Sequence, residues 1–114
     1  MGGGPQASLG AEAGVTLPLA LSPAAEDDLH DAAAWYDAQQ PGLGDAFLRS
    51  VEASFARIRR LPKSFPADEG GIHSALLRRF PYAVLFRIQE KRIEVIAVWH
   101  GHRDPEGWRA RLSP

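Results

Sequence analysis

The chain has 114 residues, is 45% apolar, contains no cysteine and carries a net charge of −1, which fits one domain with one modest core and excludes disulfides, thiol catalysis and thiolate metal sites. It has no run of about 18 apolar residues, so no membrane span is expected, and no basic stretch followed by an apolar run, so no signal peptide is expected. The charge is divided: residues 1–56 carry 8 acids and one base, residues 57–114 carry 12 bases and 6 acids, so either the halves attract each other across the fold or the basic half meets an acidic protein or a nucleic acid.

Residues 1–14 are rich in Gly and Ala without an apolar period, which predicts a flexible leader ahead of a single domain at 15–112. Val15, Leu17, Leu19 and Leu21 alternate, the period of a strand. Pro18 has no N–H to donate, so that strand is expected at a sheet edge. Ser22-Pro23 starts a helix, and Glu26, Asp27 and Asp28 follow where the macrodipole favours acids. Ala25, Leu29, Ala32, Ala33 and Tyr36 share one face, Trp35 flanks it, and Pro41-Gly42 stops the helix near Gln40. A second helix begins at Gly44 or Asp45. Phe47, Leu48, Val51, Phe55, Ile58 and Leu61 form its apolar stripe, Arg57, Arg59 and Arg60 complement the dipole in its last turn, and Pro62 ends it. The short link predicts an antiparallel helical hairpin, with the alanines letting the bulky stripe come close.

Residues 63–71 hold two prolines and a double glycine and read as a loop. Residues 72–79 form a plausible strand. After Pro81, Tyr82, Val84, Phe86 and Ile88 alternate with Ala83, Leu85 and Arg87. Gln89-Glu90-Lys91 makes a turn of about three residues. Ile93, Val95, Ala97 and Trp99 then alternate with Glu94, Ile96, Val98 and His100; both faces are largely apolar, the mark of a central strand. The expected class is α+β: an N-terminal strand, an antiparallel helical hairpin, then a three-stranded antiparallel meander, forming one curved sheet with the helices on one face.

Four stretches carry a family likeness: LSPAAEDDL at Leu21–Leu29, WYDAQQPGLGDAFL at Trp35–Leu48, LRRFPYAVLFRI at Leu77–Ile88 and VIAVWHGHRDPEGWRAR at Val95–Arg111. Together they resemble the RelE/ParE superfamily of toxins of type II toxin–antitoxin systems, in its ParE-like, plasmid-stabilisation branch. His73 departs from the pattern, since similar sequences often place Arg there. The resemblance implies a small α/β toxin fold, a cytoplasmic protein and a cognate antitoxin that wraps a segment across its surface, with a toxin–antitoxin hetero-oligomer as the expected assembly. ParE-like members poison DNA gyrase by binding; RelE-like members cut mRNA at the ribosome. A remnant that binds antitoxin without toxicity is a third possibility.

The residues allow both activities. Metal-free RNA cleavage needs a base, an acid and cations at the phosphate. His100, His102 and Arg103 are the catalytic candidates, Arg79 and Arg87 further phosphate clamps, and Tyr82 or Trp108 a stacking surface. Against this, His100 can simply bond a backbone carbonyl, Arg103-Asp104 can be an internal ion pair, Trp99 reads as core, and Glu26, Asp27 and Asp28 read as helix-start charges. Two His without a third ligand make no metal site, and no cofactor is expected. A gyrase poison needs only exposed cations and aromatics, for which Arg78, Arg79, Arg87, Arg103, Trp108, Arg109 and Arg111 are the partner-binding candidates.

Overall fold

The computed structural model describes residues 16–113. The expected leader at 1–14 and Val15 lie outside the described residues. Strand β1 (Leu19–Leu21) leads into helix α1 (Pro23–Gln39), helix α2 (Leu43–Arg60), a 3-10 turn at Pro62–Ser64, and strands β2 (His73–Leu76), β3 (Tyr82–Gln89) and β4 (Arg92–His100). A short helix α3 (Glu106–Arg109) and a 3-10 turn (Ala110–Leu112) close the described chain. The strands form one sheet in the order β1-β4-β3-β2. The meander β2-β3-β4 is antiparallel, and β1 joins its β4 edge in parallel. This is the expected α+β architecture with β1 at an edge. The Pro18 carbonyl accepts from the Ile93 N–H at 2.8 Å, so the proline contributes the one backbone group it has.

The helix ends follow from local chemistry. Ser22 caps α1, its hydroxyl accepting from the Ala25 N–H at 3.1 Å. The start of α2 is held by Asp37, whose Oδ1 accepts from the N–H groups of Gly42 (2.9 Å) and Gly44 (3.3 Å). Gly44 sits where a Cβ would lie 2.4 Å from the Ala33 carbonyl oxygen, so only glycine lets the second helix begin this close to the first. Phe47, Val51 and Ile58 of the predicted stripe are buried, with Leu48 and Phe55 partly so. Leu61 is 62% exposed: it caps the helix with φ −137° and leaves the stripe as the backbone turns.

The hairpin packs on one face of the sheet, against Val84, Phe86, Ile93, Val95 and Val98. The opposite face is also covered. Ile72, Leu85, Ile96, Ala97 and Trp99 pack with Trp108 of α3 and with Leu112. Trp108 is 6% exposed, so instead of the exposed stacking or partner-binding surface expected of it, it covers the sheet. Gly107 makes that fit possible, since a Cβ there would meet the Trp99 ring at 2.6 Å.

β1 begins at Leu19, later than the alternation from Val15 suggests, and three further features of the sheet differ from expectation. β2 spans four residues rather than eight, because the chain turns sharply at Leu77 and Phe80, both buried, with the Leu77 N–H bonded to the Tyr82 carbonyl at 2.9 Å. The β3–β4 turn has two residues, Glu90 and Lys91, both at positive φ (49° and 64°), a type I′ geometry that matches strand twist. The alternation along β4 is interrupted. Phe86 pairs with Val95 but Leu85 pairs with Ala97, so Ile96 is an inserted bulge residue. Ile93, Val95 and Val98 therefore face the helices, while Ala97 and Trp99 face the tail.

Candidate functional site

The predicted rim of cations does not form one surface. It divides into an arginine groove along α2, an aromatic pocket at the far end of β3 and β4, and a set of internal contacts.

The groove lies between α2 and the β2–β3 loop. Burial of Leu77 and Phe80 anchors that loop and leaves Arg78 and Arg79 exposed. Across from them, α2 presents Arg49, Arg57 and Arg60, and small residues (Ala46, Ser50, Ala53, Ser54) line the space between. The cavity measures about 500 Å³. Arg57 also lies over the Phe65 ring (5.7 Å) and Arg79 over Phe80 (5.7 Å). Of the three last-turn arginines, Arg59 is an internal strap, its Nε donating to the Leu17 carbonyl at 2.9 Å. Helical angle links the groove arginines of α2: at 100° per residue, Arg49 and Arg60 lie about 20° apart and Arg57 about 60° from Arg60.

The second region is a cavity of about 370 Å³ lined by Trp35, Tyr36, Pro81, Tyr82 and His100. Beside it, Asp28, Asp31, Trp35, Tyr82, His100 and Arg103 line a smaller space of about 200 Å³. Register places Tyr82 opposite His100, with their rings edge to face at 5.1 Å. Trp35 is 58% exposed. Burial raises the Tyr36 phenol above its ordinary pKa. Burial raises Tyr82 too, and the neighbouring Tyr36 adds to that. Neither phenol is a base near neutrality.

The candidate catalytic residues are close in space but not arranged as an acid–base set. His100 Nδ1 accepts from the His102 backbone N–H at 3.0 Å, the reverse of the expected bond to a carbonyl. With Nδ1 accepting, the neutral ring carries its proton on Nε2 and donates from there. His102 is exposed, its ring 5.3 Å from that of His100. Arg103 is not paired with Asp104. Its guanidinium lies 3.8 Å from the centre of the Trp99 ring, and Asp104 instead accepts from the Glu106 N–H at 2.9 Å, starting α3.

Other predicted contacts are taken up internally. Arg87 pairs across the strands with Glu94 at 2.7 Å. Arg109 is exposed and lies over the Trp108 ring at 5.2 Å. Arg111 holds Asp28 through both guanidinium ends, Nη1–Oδ2 2.7 Å and Nη2–Oδ1 2.8 Å. That bond, ahead of a smaller opposing effect of burial, raises the Arg111 pKa and fixes its charge. Asp28 also accepts from the Val98 N–H at 3.0 Å, so it is a structural acceptor and more than a helix-start charge. His73, at the position where the resemblance favours Arg, stacks on Phe86 (5.0 Å) and bonds the Phe65 carbonyl through Nδ1 at 2.8 Å. Among the described residues, no three metal-ligating side chains cluster.

A family model described as the ParE toxin of type II toxin–antitoxin systems, parDE, matches residues 19–105. The chain is 30% identical over 100 residues to Toxin ParE2 of Mycobacterium tuberculosis, strains CDC 1551 / Oshkosh and H37Rv, across 87% of this chain and 95% of the relative. Among solved structures, a chain of the chromosomal ParDE toxin–antitoxin system of P. aeruginosa superposes with TM-score 0.67 at 17% identity, covering 75% of this chain and 96% of that one. A chain of the toxin–antitoxin complex RelBE2 of Mycobacterium tuberculosis gives TM-score 0.52 at 24% identity, covering 75% and 99%. At these identities the two structures speak for the fold.

Proposed function

Because the chain belongs to the ParE toxin family of type II toxin–antitoxin systems, we propose that it halts growth by binding and inhibiting DNA gyrase, and that a cognate antitoxin neutralises it in a hetero-oligomer. The proposed unit is residues 15–112 and the proposed place of action the cytoplasm. The observation that carries the reading is the family match over residues 19–105.

The geometry supports binding over chemistry. The His100 Nδ1 is occupied by a backbone N–H, and Arg103 lies over Trp99, so proton transfer at a phosphate would require both to move. A binding surface asks for less: Arg78, Arg79, Arg103 and Arg109 are exposed, and Arg is enriched at interface hot spots. These four are the proposed contacts. Arg87, Trp108 and Arg111 are engaged within the fold and serve the surface by shaping it.

Supercoiling by purified gyrase tests the proposal. Inhibition at micromolar protein is expected; unimpaired supercoiling at that concentration rejects it. A ribosome-dependent mRNA nuclease is the second reading, favoured by the pocket that His100 shares with Tyr82 and Trp35. It requires His100→Ala and His102→Ala to abolish growth arrest, and variants as toxic as the parent rule it out.

A further inference from the structure

Trp35 is 58% exposed, and neither the core nor the arginine groove uses it. It lines the cavity of about 370 Å³ that it shares with Tyr36, Pro81, Tyr82 and His100. The rings around that space meet at steep angles. Trp35 and Tyr36 are inclined at 82° with centres 5.1 Å apart, Tyr36 and Tyr82 at 61° and 6.1 Å, and Tyr82 and His100 at 77° and 5.1 Å. Rings so inclined make the walls of a cage rather than a stack, and the π-systems of such a cage attract a cation.

The adjoining space of about 200 Å³ shares Trp35, Tyr82 and His100 with the cage and adds charged groups, Asp28, Asp31 and Arg103. Asp28 is taken up by Arg111 and the Val98 N–H. Asp31 and Arg103 are exposed and, among the described residues, form no ion pair. Asp31 lies one turn before Trp35 on the same side of α1. Arg103 has its guanidinium over the Trp99 ring, a contact that leaves N–H groups free for an anion. His100, its Nδ1 accepting from the His102 N–H, adds a donor at Nε2. One free acid and one free base beside an aromatic cage match a ligand that carries both charges.

We propose that this cleft binds a small betaine, a trimethylammonium group joined to a carboxylate. The trimethylammonium sits among Trp35, Tyr36 and Tyr82 with Asp31 beside it, and the carboxylate meets Arg103 and the His100 Nε2–H. A primary ammonium or a guanidinium fits less well. Each brings N–H donors that need acceptors, and the cage side chains include no carboxylate or amide. A methylated nitrogen has no N–H to satisfy. A nucleobase also fits less well, because a flat ring stacks against parallel faces and these walls stand at 61° to 82° to one another.

The test is calorimetric titration of the full chain, which reads binding without gyrase or toxicity. Glycine betaine is expected to bind saturably with a Kd of about 1 mM. Choline, which lacks the carboxylate, is expected to bind about fivefold more weakly, and glycine, which lacks the methyl groups, about tenfold more weakly. Trp35→Ala is expected to weaken betaine and choline alike about tenfold, and Asp31→Asn to weaken both about threefold. Arg103→Gln is expected to bring betaine down to the level of choline while choline stays within about twofold. All three side chains are exposed, and thermal melting checks that each variant keeps the parent fold, with Trp35→Leu in place of any Ala variant that does not. Arg78→Gln, outside the cleft, is expected to bind betaine within about twofold of the parent. The proposal is overturned if the parent shows no saturable binding up to about 20 mM betaine, if glycine binds as well as betaine, or if the Trp35 variant binds like the parent. It is equally overturned if Arg103→Gln keeps the preference for betaine over choline, or if adenosine monophosphate binds more tightly than betaine.

Discussion

Asp28 and Arg111 stand 83 positions apart in the chain and meet at the one stretch of β4 that lacks a neighbouring strand. β1 ends at Leu21, and past it the outer edge of β4 would leave its Ile96 carbonyl and Val98 N–H open. Arg111 and the Ser22 hydroxyl donate to the carbonyl (3.1 and 3.4 Å), and Asp28 accepts from the N–H (3.0 Å). The Asp28 side chain is 8% exposed and that of Arg111 23%, so removing one member strands the other out of water. Arg111→Met is expected to cost about 2–3 kcal/mol, the low end for a broken buried pair because Arg111 keeps some solvent. Urea unfolding of parent and variant measures it. Neither role was legible in the sequence, since Asp28 sits among three helix-start acids and nothing local links it to a residue near the end of the chain.

The two phenols give a pH signature. Tyr36 and Tyr82 both have pKa values raised above the ordinary 10.0 in the folded chain. Between the unfolded and folded pKa values the native state holds protons that the unfolded state releases, so stability falls as pH rises from about 10 upward. Urea midpoints at about pH 8 and about pH 10.5 should differ in the parent, and the difference should shrink in Tyr36→Phe.

At the scale of elements, helix boundaries were the most readable part. Ser22-Pro23, Pro41-Gly42 and Pro62 punctuate the hairpin with residues whose conformations admit few alternatives. What local signals could not supply was the approach distance between the helices, which Gly44 sets. Gly44→Ala must displace the Ala33 backbone and is expected to cost about 1–3 kcal/mol, read as a lowered denaturation midpoint. The β4 bulge was equally hidden, because Val95, Ile96, Ala97 and Val98 are all apolar and no polar residue marks the change of face. Deleting Ile96 would restore strict alternation with Val95 and Val98 still toward the helices and Ala97 and Trp99 still toward the tail, while removing the Ile96 side chain from the outer cluster. A lowered urea midpoint with cooperative unfolding retained is the expected result. The β3–β4 turn offers the opposite prospect. Glu90 and Lys91 occupy positive φ without being Gly or Asn, so Glu90→Asn with Lys91→Gly is expected to stabilise by about 1 kcal/mol in the same assay.

Over the whole molecule, the acidic and basic halves of the sequence do not simply face each other. Asp28–Arg111 is one ion pair between the halves, while the α2 arginines come from both sides of the midpoint and join Arg78 and Arg79 around one groove. A linear count of charge therefore found the basic patch but missed Arg49, the one base of the acidic half. The tail was legible as a cluster of cations and less so in its contacts. Its cations are present, yet Trp108 and Arg111 turn inward because the outer face of the sheet needs a cover that the helical hairpin cannot reach.

The parallel pairing of β1 with β4 has a consequence in time. Leu19 pairs with Ile93 and Leu21 with Val95, so the sheet closes only after the chain has been made as far as Val95. The helical hairpin, built from near neighbours, can form early, while long-range strand pairing forms late. A nascent chain arrested before Arg92 should thus show helical content but remain open to protease, becoming resistant only once β4 has emerged; pulse proteolysis of stalled chains would register the change. The first and last strands among the described residues therefore meet only after everything between them has been made, and the outer strand β1 waits for its partner through the synthesis of both helices and two further strands.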